Sequence, residues 1–372
     1  MSSSDSHMMR RALDLARLGE GRTRPNPPVG AVVVRDGEVV GEGWHQRAGM
    51  PHAEIEALLA AGERARGATV YVTLEPCSHT GRTGPCARAL IDAGVQRVVV
   101  GAIDPNPKVS GRGVALLREA GIEVVTGVLE QECSWLIGPF RRAVLDGRPL
   151  VTLKAAITLD GATATSRGES QWISCEQSRA DVHSLRDRVD AIMVGVGTVL
   201  RDNPRLNTRL PGGEGQDPVR VVVDSRLRTP PDAAMLTMQS EAPTLIATTP
   251  NAPADKRREL EKAGAEILVC DEIEGQGVDL AGLLEELGRR DLMHLLLEGG
   301  ASLNHSMLAH HLVDRLRLYV APKLFGGSDA RGLFSGSDVG FIRAAHKARF
   351  HQVRTLGTDL VVDVELLSCS PD

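Results

Sequence analysis

A histidine and two cysteines that lie far apart in the chain constrain its fold more than any other feature. His52 opens the tripeptide His-Ala-Glu, and Cys77 and Cys86 enclose the eight residues Ser-His-Thr-Gly-Arg-Thr-Gly-Pro. One imidazole and two thiolates can hold a tetrahedral metal ion and leave its fourth position open, which is typical of catalytic rather than structural zinc. The fold must therefore bring the segment around residue 52 next to the segment from 77 to 86.

The first half of the chain alternates strand and helix patterns. Two short apolar runs, 29–34 and 39–43, are joined through Asp36-Gly37 and predict a β-hairpin. The other predicted elements are helices at 9–18, 52–61 and 85–93, strands at 69–74 and 97–101, and a helix, a strand and a helix up to about residue 145. This alternation predicts helices that cover a sheet. The ligands then fall at two helix starts: His52 opens one helix, and Cys77 and Cys86 bracket the loop that enters the next, where free amides and the helix dipole favour thiolates.

A turn cluster, Asp146-Gly147-Arg148-Pro149, separates this half from a second α/β half. We expect two domains, residues 1–147 and 148–372, because the chain is long for a single core. The second half predicts strands at 151–158, 191–195, 219–223, 244–247, 267–269, 292–297, 315–321 and 359–366, with helices at 176–188, 255–262, 279–288 and 301–310.

Composition narrows the class of partner. The net charge is −5 and only 3% of the residues are aromatic, whereas nucleic-acid binders usually carry a basic surface and aromatic stacking platforms. No apolar run reaches the ~18 residues of a membrane helix, and the N-terminus lacks the pattern of a secretory signal. The six cysteines are not spaced like a disulfide framework. We therefore expect a cytoplasmic protein that acts on a small molecule and binds neither nucleic acid nor membrane.

The residue types around the ligands indicate hydrolytic chemistry. Zinc lowers the pKa of a bound water from about 15.7 toward 7 and so supplies a nucleophile at neutral pH. Glu54 lies two residues after His52, where it can carry protons to a ring nitrogen and to a leaving amine. A His-x-Glu followed by two cysteines is the signature of zinc nucleobase deaminases, although there only two residues separate the cysteines.

Four motifs resemble the deaminase half of the bifunctional deaminase/reductase family of riboflavin biosynthesis. They are Arg-Pro-Asn-Pro-Pro-Val-Gly at 24–30, His-Ala-Glu at 52–54, the segment 76–86 with its long inter-cysteine loop, and Asp-Pro-Asn-Pro-Lys-Val-Ser-Gly-Arg-Gly at 104–113. The resemblance implies a cytidine-deaminase-like fold, zinc ligands His52, Cys77 and Cys86, and Glu54 as the catalytic proton shuttle. It also implies substrate contacts at Asn26, His45, His79, Arg82 and Asn106. Ordinary turn, strand-end or solvated loop residues remain the alternative for this last set.

The second half resembles the reductase of the same family through 150–164, Gly-Glu-Ser-Gln-Trp-Ile-Ser at 168–174, the segment 193–204 and Leu-Leu-Leu-Glu-Gly-Gly-Ala-Ser at 295–302. The resemblance implies a dihydrofolate-reductase-like fold that uses NADPH. The implied NADPH contacts are Ala156, Trp172, Thr198, Asp202, Ser225, Gly300, Ala301, Ser302, Leu303, Asn304, His305 and Ser306. The implied substrate contacts are Ser170, Arg186, Leu206, Arg209 and Glu298. Lys154 and Asp202 are the candidates for a catalytic role, and structural roles remain open for Trp172, Arg186 and Asp202.

Together these features predict a bifunctional enzyme. It would deaminate 2,5-diamino-6-(5-phosphoribosylamino)pyrimidin-4-one and then reduce the ribosyl chain to ribityl with NADPH, and it would form a homo-oligomer, a dimer or a tetramer. Two alternatives remain. A nucleic-acid base deaminase with an unrelated second domain would release ammonia from tRNA but not from the pyrimidine. A second half that only supports an oligomer would neither bind nor oxidise NADPH.

Overall fold

The computed structural model describes residues 3–78, 84–107, 109–213, 215–275 and 277–367. The chain divides into two compact units, Met1–Gly147 and Arg148–Asp372. Among the described residues, no helix combines the length and apolar character that a bilayer crossing requires.

The first unit is an α/β sandwich built on one sheet. Its elements are α1 (Ser3–Arg17), β1 (Gly30–Arg35), β2 (Glu38–Trp44), α2 (Ala53–Ala61), a 3₁₀ turn (Gly62–Ala65), β3 (Thr69–Leu74), α3 (Cys86–Asp92), β4 (Arg97–Ala102), α4 (Arg112–Glu119), β5 (Glu123–Thr126), α5 (Glu130–Leu136) and α6 (Gly138–Asp146). Within the described part of this unit the sheet has the order β2-β1-β3-β4-β5. The predicted hairpin β1–β2 is antiparallel, as is β1–β3, and β3, β4 and β5 run parallel.

Helices approach both faces of this sheet closely, and glycines permit that approach. A Cβ on Gly30 would lie 2.0 Å from the carbonyl oxygen of Ala12 in α1, and one on Gly41 would lie 2.2 Å from that of Ala57 in α2. Gly30 and Gly41 point to opposite faces because side chains alternate along paired strands. The packing of α2 on β1 and β2 fixes the position of its first residues, which is where the site lies.

The second unit contains a wider sheet. Its elements are β6 (Leu150–Thr158), β7 (Ala162–Ala164), α7 (Glu176–Arg188), β8 (Ala191–Gly195), α8 (Val196–Asp202), β9 (Val219–Val223), α9 (Ala234–Thr237), β10 (Thr244–Thr248), α10 (Ala254–Lys262), β11 (Ala265–Val269), β12 (Glu272–Ile273), β13 (Gly277–Val278), α11 (Leu280–Arg289), β14 (His294–Leu297), α12 (Ala301–Ala309), β15 (Arg315–Ala321), β16 (Arg331–Gly332), a 3₁₀ turn (Ile342–Ala344), β17 (Ala348–Leu356) and β18 (Asp359–Leu366).

In the part of the second unit that the structure describes, the large sheet has the order β11-β10-β9-β8-β14-β6-β15-β18-β17. The strands from β11 to β15 run parallel, and β18 pairs antiparallel with β15 and with β17. Alternate residues of β8 enter different cores: Met193 joins one apolar cluster, and Ile192 and Val194 join another. Burial on both faces explains why the central strands are nearly continuous apolar runs.

Candidate active sites

In the first unit, two helix starts and the segment after β3 bring the three predicted metal ligands together. His52 is the N-cap residue of α2, Cys86 is the first residue of α3, and Cys77 follows the end of β3. Nδ1 of His52 lies 3.2 Å from Sγ of Cys86 and 3.7 Å from Sγ of Cys77. Among the described residues these three form the cluster of His, Cys and carboxylate side chains that is compact enough to bind a metal.

The spacing of these atoms fits a tetrahedral zinc ion. Zn–N and Zn–S bonds of about 2.05 and 2.3 Å at a tetrahedral angle place nitrogen and sulfur ~3.5 Å apart, and the two observed distances lie on either side of that value. The pKa of Cys77 is lowered, mainly by a hydrogen bond from Cys86 and also by one from His52. The backbone amide of Cys86 donates to the Cys77 sulfur at 3.3 Å. The donor set therefore favours a thiolate at Cys77, as a metal ligand requires.

Glu54 faces this centre from the first turn of α2. Its side chain is buried, with 4% of the residue exposed. Burial raises the pKa of Glu54 from 4.5 to about 7. A carboxyl group with a pKa near neutrality can both accept and donate a proton at the pH of the cell. Glu54 is not one of the three clustered ligands, and its predicted role as a proton shuttle is compatible with this pKa.

A cavity of ≈ 570 Å³ opens onto these residues. Its wall includes His52, Glu54 and Cys77 together with the predicted substrate contacts Asn26, His45 and Asn106. Nδ2 of Asn26 lies 3.0 Å from Nε2 of His45, and Nδ1 of His45 lies 3.0 Å from the carbonyl oxygen of Pro51. Burial lowers the pKa of His45, which favours its neutral form. The predicted contacts at His79 and Arg82 lie outside the described residues.

The cavity wall also contains residues that sequence reasoning missed, namely Met50, Glu75, Asp104, Val109 and Phe140. Asp104 and Val109 belong to the motif at 104–113, in which only the asparagine had been singled out. Glu75 precedes the Pro-Cys dipeptide, so its position beside a ligand was a signal available in the sequence. Phe140 lies in α6, and nothing in the sequence linked that helix to the site.

In the second unit, a cleft of ≈ 840 Å³ lies where β14 passes through Gly299-Gly300 into α12. Its wall contains most of the predicted reductase residues: Lys154, Ala156, Ser170, Thr198, Asp202, Glu298, Gly300, Ala301, Ser302, Leu303 and Asn304. It also contains Arg201 and the segment 331–336, which the sequence did not indicate. Other predicted residues, within the described part of the unit, lie outside this wall: Trp172, Arg186, Leu206, Arg209, Ser225, His305 and Ser306.

The cleft has the features that a dinucleotide requires. Free amides at the first turn of α12 favour a phosphate, and a Cβ on Gly299 would lie 2.8 Å from Oδ1 of Asn304, so only glycine leaves this passage open. Oδ1 of Asn304 is buried and, among the described residues, has no hydrogen-bond partner, while Nδ2 donates to the carbonyl oxygen of Leu333 at 3.2 Å. An acceptor without a partner at the cleft fits a bound polar group.

A buried charge cluster joins two residues of the cleft wall, Lys154 and Glu298, to Arg186. Nε and Nη2 of Arg186 donate to the two carboxylate oxygens of Glu298 at 2.9 and 3.0 Å, and Nζ of Lys154 lies 3.5 Å from Oε2 of Glu298. Burial alone would raise the pKa of Glu298, but the charges of Arg186 and Lys154 outweigh it and lower the pKa to about 2. Glu298 therefore stays ionised and fixes both cations.

The predicted substrate arginines meet in the same cluster. Nη1 of Arg186 donates to the carbonyl oxygen of Asn207 at 3.1 Å, and Nη1 of Arg209 donates to Oδ1 of Asn207 at 2.7 Å. Burial and the charges of these two arginines lower the pKa of His183 to about 4. The side chain of Leu206 packs into the apolar core beneath. Three donor groups of Arg186 thus bond to Glu298 and Asn207, and its predicted contact with the substrate stays a prediction.

The remaining predicted cofactor contacts lie elsewhere in the unit. Trp172 is 62% exposed, with the guanidinium carbon of Arg179 4.7 Å from its ring centroid. The backbone carbonyl of Ser225 accepts a hydrogen bond from Oγ1 of Thr249 at 3.1 Å. His305 packs against Gly336, where no Cβ could fit.

The fold and the ligand set define the first unit as a zinc-dependent deaminase domain of the cytidine deaminase class. Residues 2–102 match the model of the cytidine and deoxycytidylate deaminase zinc-binding region, and residues 149–362 match that of the RibD C-terminal domain. The predictions of a zinc-binding deaminase fold and of a second, reductase-type α/β domain are thereby confirmed.

Relatives that align with nearly the whole chain identify its family. The chain is 45% identical to the riboflavin biosynthesis protein RibD of Actinobacillus pleuropneumoniae, over 98% of this chain and 96% of the relative. It is 43% identical to that of Escherichia coli, over 96% and 98%. Acinetobacter baumannii RibD superposes with a TM-score of 0.83 at 39% identity, covering 98% of this chain and 99% of that one. The chain belongs to the RibD family.

A further similar protein of known structure is described by two enzymatic activities, a deaminase and a reductase. A diaminohydroxyphosphoribosylaminopyrimidine deaminase/5-amino-6-(5-phosphoribosylamino)uracil reductase from Thermotoga maritima has a TM-score of 0.82 and 37% identity, and the match covers 98% of this chain and 99% of that one. The resemblance inferred from motifs is therefore confirmed by nearly full-length similarity.

Proposed function

We propose that this protein catalyses two consecutive steps of riboflavin biosynthesis. The unit 1–147 hydrolytically deaminates 2,5-diamino-6-(5-phosphoribosylamino)pyrimidin-4-one, and the unit 148–372 reduces the ribosyl chain of the product to a ribityl chain with NADPH. The observation that carries this proposal is the cluster of His52, Cys77 and Cys86 beside buried Glu54, in a chain whose relatives align over nearly its whole length.

In the deaminase unit, His52, Cys77 and Cys86 would hold a zinc ion, which would lower the pKa of a water molecule and so supply a nucleophile at neutral pH. Glu54 takes one proton from the attacking water and delivers it to a ring nitrogen. It then takes the remaining proton of the added hydroxyl group and delivers it to the amine, so that ammonia leaves and a carbonyl group forms. Asn26, His45 and Asn106 line the cavity around the pyrimidine. His79 and Arg82 are assigned to the phosphoribosyl group on the resemblance alone.

In the reductase unit, NADPH supplies the hydride, and the protein positions the two reactants. We assign the first turn of α12 and Thr198 to the cofactor, and Ser170 and Glu298 to the substrate, because these residues line one cleft. Lys154 lies in the same wall with its ammonium beside Glu298, so it is placed to orient the ribosyl oxygens. Asp202 at the end of α8 is our candidate for the proton donor. Contacts are assigned only by resemblance at Trp172, Arg186, Leu206, Arg209, Ser225, His305 and Ser306.

The two activities can be tested separately on the purified protein. Ammonia release from the pyrimidine substrate measures the first unit, and the loss of NADPH absorbance with the deaminated product measures the second. Glu54→Ala should lower ammonia release by at least ~100-fold, as expected for a lost general acid–base, while zinc content and NADPH oxidation stay at wild-type values. Near wild-type ammonia release by the zinc-loaded variant would refute the role of Glu54.

The catalytic candidates of the reductase can be tested with the two assays exchanged, so that NADPH oxidation is the readout and ammonia release is the control. Lys154→Met and Asp202→Asn should each reduce the rate of NADPH oxidation without changing ammonia release, which serves as the internal control for folding. If kcat for NADPH oxidation is unchanged in both variants, neither residue takes part in the chemical step.

We also propose that the enzyme is a cytoplasmic homo-oligomer, a dimer or a tetramer. Support for self-association comes from the sheet edge formed by β17. Its register places Phe350 opposite Val364 and Val353 opposite Val362, so the apolar side chains share a face, and Phe350 is 73% exposed. Exposed apolar edge strands invite pairing with another chain. Sedimentation equilibrium should give a mass above that of one chain, and Phe350→Lys should lower it. A monomer at micromolar concentration would contradict this proposal.

A further inference from the structure

Glu75 is a buried carboxylate next to the metal ligands that has no role in the chemistry proposed above. It is 3% exposed and lies between the end of β3 and Cys77. Oε2 of Glu75 accepts hydrogen bonds from the backbone amides of Asp104, at 3.2 Å, and Gly111, at 2.9 Å. Oε1 accepts one from the amide of Val114 at 3.1 Å. Both carboxylate oxygens are thus used by backbone groups of the segment that follows β4.

Two of these amides belong to the start of a helix. Gly111 is the N-cap residue of α4, and Val114 lies in its first turn. The first amides of a helix have no partner within it, and a carboxylate placed there satisfies them and interacts favourably with the helix dipole. A Cβ on Gly113 would lie 1.9 Å from the carbonyl oxygen of Pro76. The start of α4 and the Glu75-Pro76-Cys77 segment are therefore held in direct contact.

The third amide, that of Asp104, belongs to the beginning of the loop between β4 and α4, and its hydrogen bond to Glu75 fixes this part of the loop. Asp104 in turn accepts a hydrogen bond on Oδ1 from the amide of Asn106 at 2.8 Å. The amides of Val109 and Ser110 donate to the carbonyl oxygen of Asn106 at 2.8 and 2.9 Å. Asp104, Asn106 and Val109 all line the deaminase cavity. A continuous chain of hydrogen bonds thus runs from Glu75 to the wall that faces the substrate.

We propose that Glu75 is a positioning residue for deamination, which sets the distance between the metal ligands and the cavity wall at Asn106. This inference rests on the proposed function of the first unit. Glu75 acts through the 104–111 loop, since its oxygens are occupied by the amides of that loop and of α4. Loss of the carboxylate should weaken recognition of the pyrimidine more than it slows the chemical step, because Glu54 and His52 are held at the start of α2 and Cys86 at the start of α3.

The test is the Glu75→Gln variant of the full chain, with Glu119→Gln as a matched control at an exposed position of α4. A glutamine keeps the shape of the side chain but replaces one acceptor oxygen with an amide donor, so at least one buried amide loses its partner. We expect the KM of ammonia release to rise about tenfold, which corresponds to one unsatisfied buried group. The kcat, the zinc content and NADPH oxidation should stay within about threefold of the wild type, and the control should match the wild type throughout.

A second readout follows the loop itself. Hydrogen exchange of a peptide spanning residues 103–114, measured by mass spectrometry, should be faster in Glu75→Gln than in the wild type or in the control. An unchanged KM together with unchanged exchange would overturn the proposal. So would a fall in kcat or zinc content at unchanged KM, because Glu75 would then act on the metal centre. If the wild type releases no ammonia, the proposed function fails, and the exchange experiment still decides whether Glu75 fixes the loop.

Discussion

The ion pair between Arg186 and Glu298 allows the most quantitative prediction. The two side chains are only 12% and 13% exposed and share two hydrogen bonds. The pKa of Glu298 falls from 4.5 to about 2. This lowering, from Arg186 first and Lys154 second, corresponds at about 1.36 kcal/mol per pH unit to ~3.4 kcal/mol of stability at pH 7 for the three charges together. This agrees with the roughly 3–5 kcal/mol lost when one partner of a buried pair is removed.

The perturbation is Arg186→Met, which keeps most of the apolar length of the side chain and removes its charge. Because the pKa of Glu298 is lowered in the folded state, the stabilisation is complete above its unfolded pKa and declines as the pH falls toward 2. We expect the variant to lose about 3 kcal/mol of unfolding free energy at pH 7 but only about 2 kcal/mol at pH 3.5. Arg228→Met, at an exposed arginine of the same unit, is the control.

The assay must report on the second unit alone, since a protein of two units need not unfold in one step. Urea unfolding followed by hydrogen exchange of peptides from α7 and β14 meets this need. A loss smaller than about 1 kcal/mol at pH 7, which is typical of an exposed pair, would refute the reasoning. So would a loss that does not change between pH 7 and pH 3.5.

Three further predictions concern packing, pH and the cofactor. Gly41→Ala places a methyl group 2.2 Å from the carbonyl oxygen of Ala57, so the unfolding free energy of the first unit should fall by at least the ~1–3 kcal/mol typical of overpacking. An unchanged unfolding transition of that unit would contradict this contact. Burial lowers the pKa of His294 to about 3, so below pH 6.5 the imidazole is protonated in the unfolded state but stays neutral in the folded state. Lowering the pH to 5 should therefore reduce the unfolding free energy of the second unit by up to about 2 kcal/mol. This dependence should be smaller by that amount in His294→Gln, where the lowered pKa of His183 still contributes; a dependence unchanged from the wild type would exclude His294 as a cause. Gly299→Ala brings a methyl group within 2.8 Å of Oδ1 of Asn304 and should raise the Kd of NADPH measured by calorimetry, while ammonia release is unaffected; an unchanged Kd would place the cofactor away from this turn.

The parallel strands were predictable from the sequence because burial on both faces makes them continuous apolar runs. The predicted strands 191–195, 219–223 and 315–321 have the observed bounds. Strand β17 was missed because Phe350 and Val353 are three residues apart and share a face only through the register shift between Phe350 and Gln352, so the sequence shows no alternating pattern, and most of the strand is exposed. Helix α8 was missed for another reason: its seven residues follow β8 directly, without a polar turn that would mark a boundary.

The metal centre was predictable because zinc accepts few ligand types, and His52, Cys77 and Cys86 stand in a recognisable order. The contacts that hold the two sites in place were not predictable from the sequence. Glu75 meets Gly111 and Val114 only after β3 and β4 have paired, and Arg186 meets Glu298 across 112 positions of sequence. Long-range pairs of this kind leave no local pattern in the chain. The sequence therefore predicts Arg186 as a substrate contact, which stays a prediction, but it does not reveal the ion pair with Glu298.

X-ray absorption at the zinc edge of the purified protein tests the central claim most directly, because it reports the ligands of the metal itself. The account predicts one zinc ion per chain, with one nitrogen ligand at about 2.0 Å, two sulfur ligands at about 2.3 Å and one oxygen ligand. The sulfur contribution should fall by half in Cys86→Ser. A shell of oxygen ligands alone, or ammonia release by protein that contains no zinc, would contradict it.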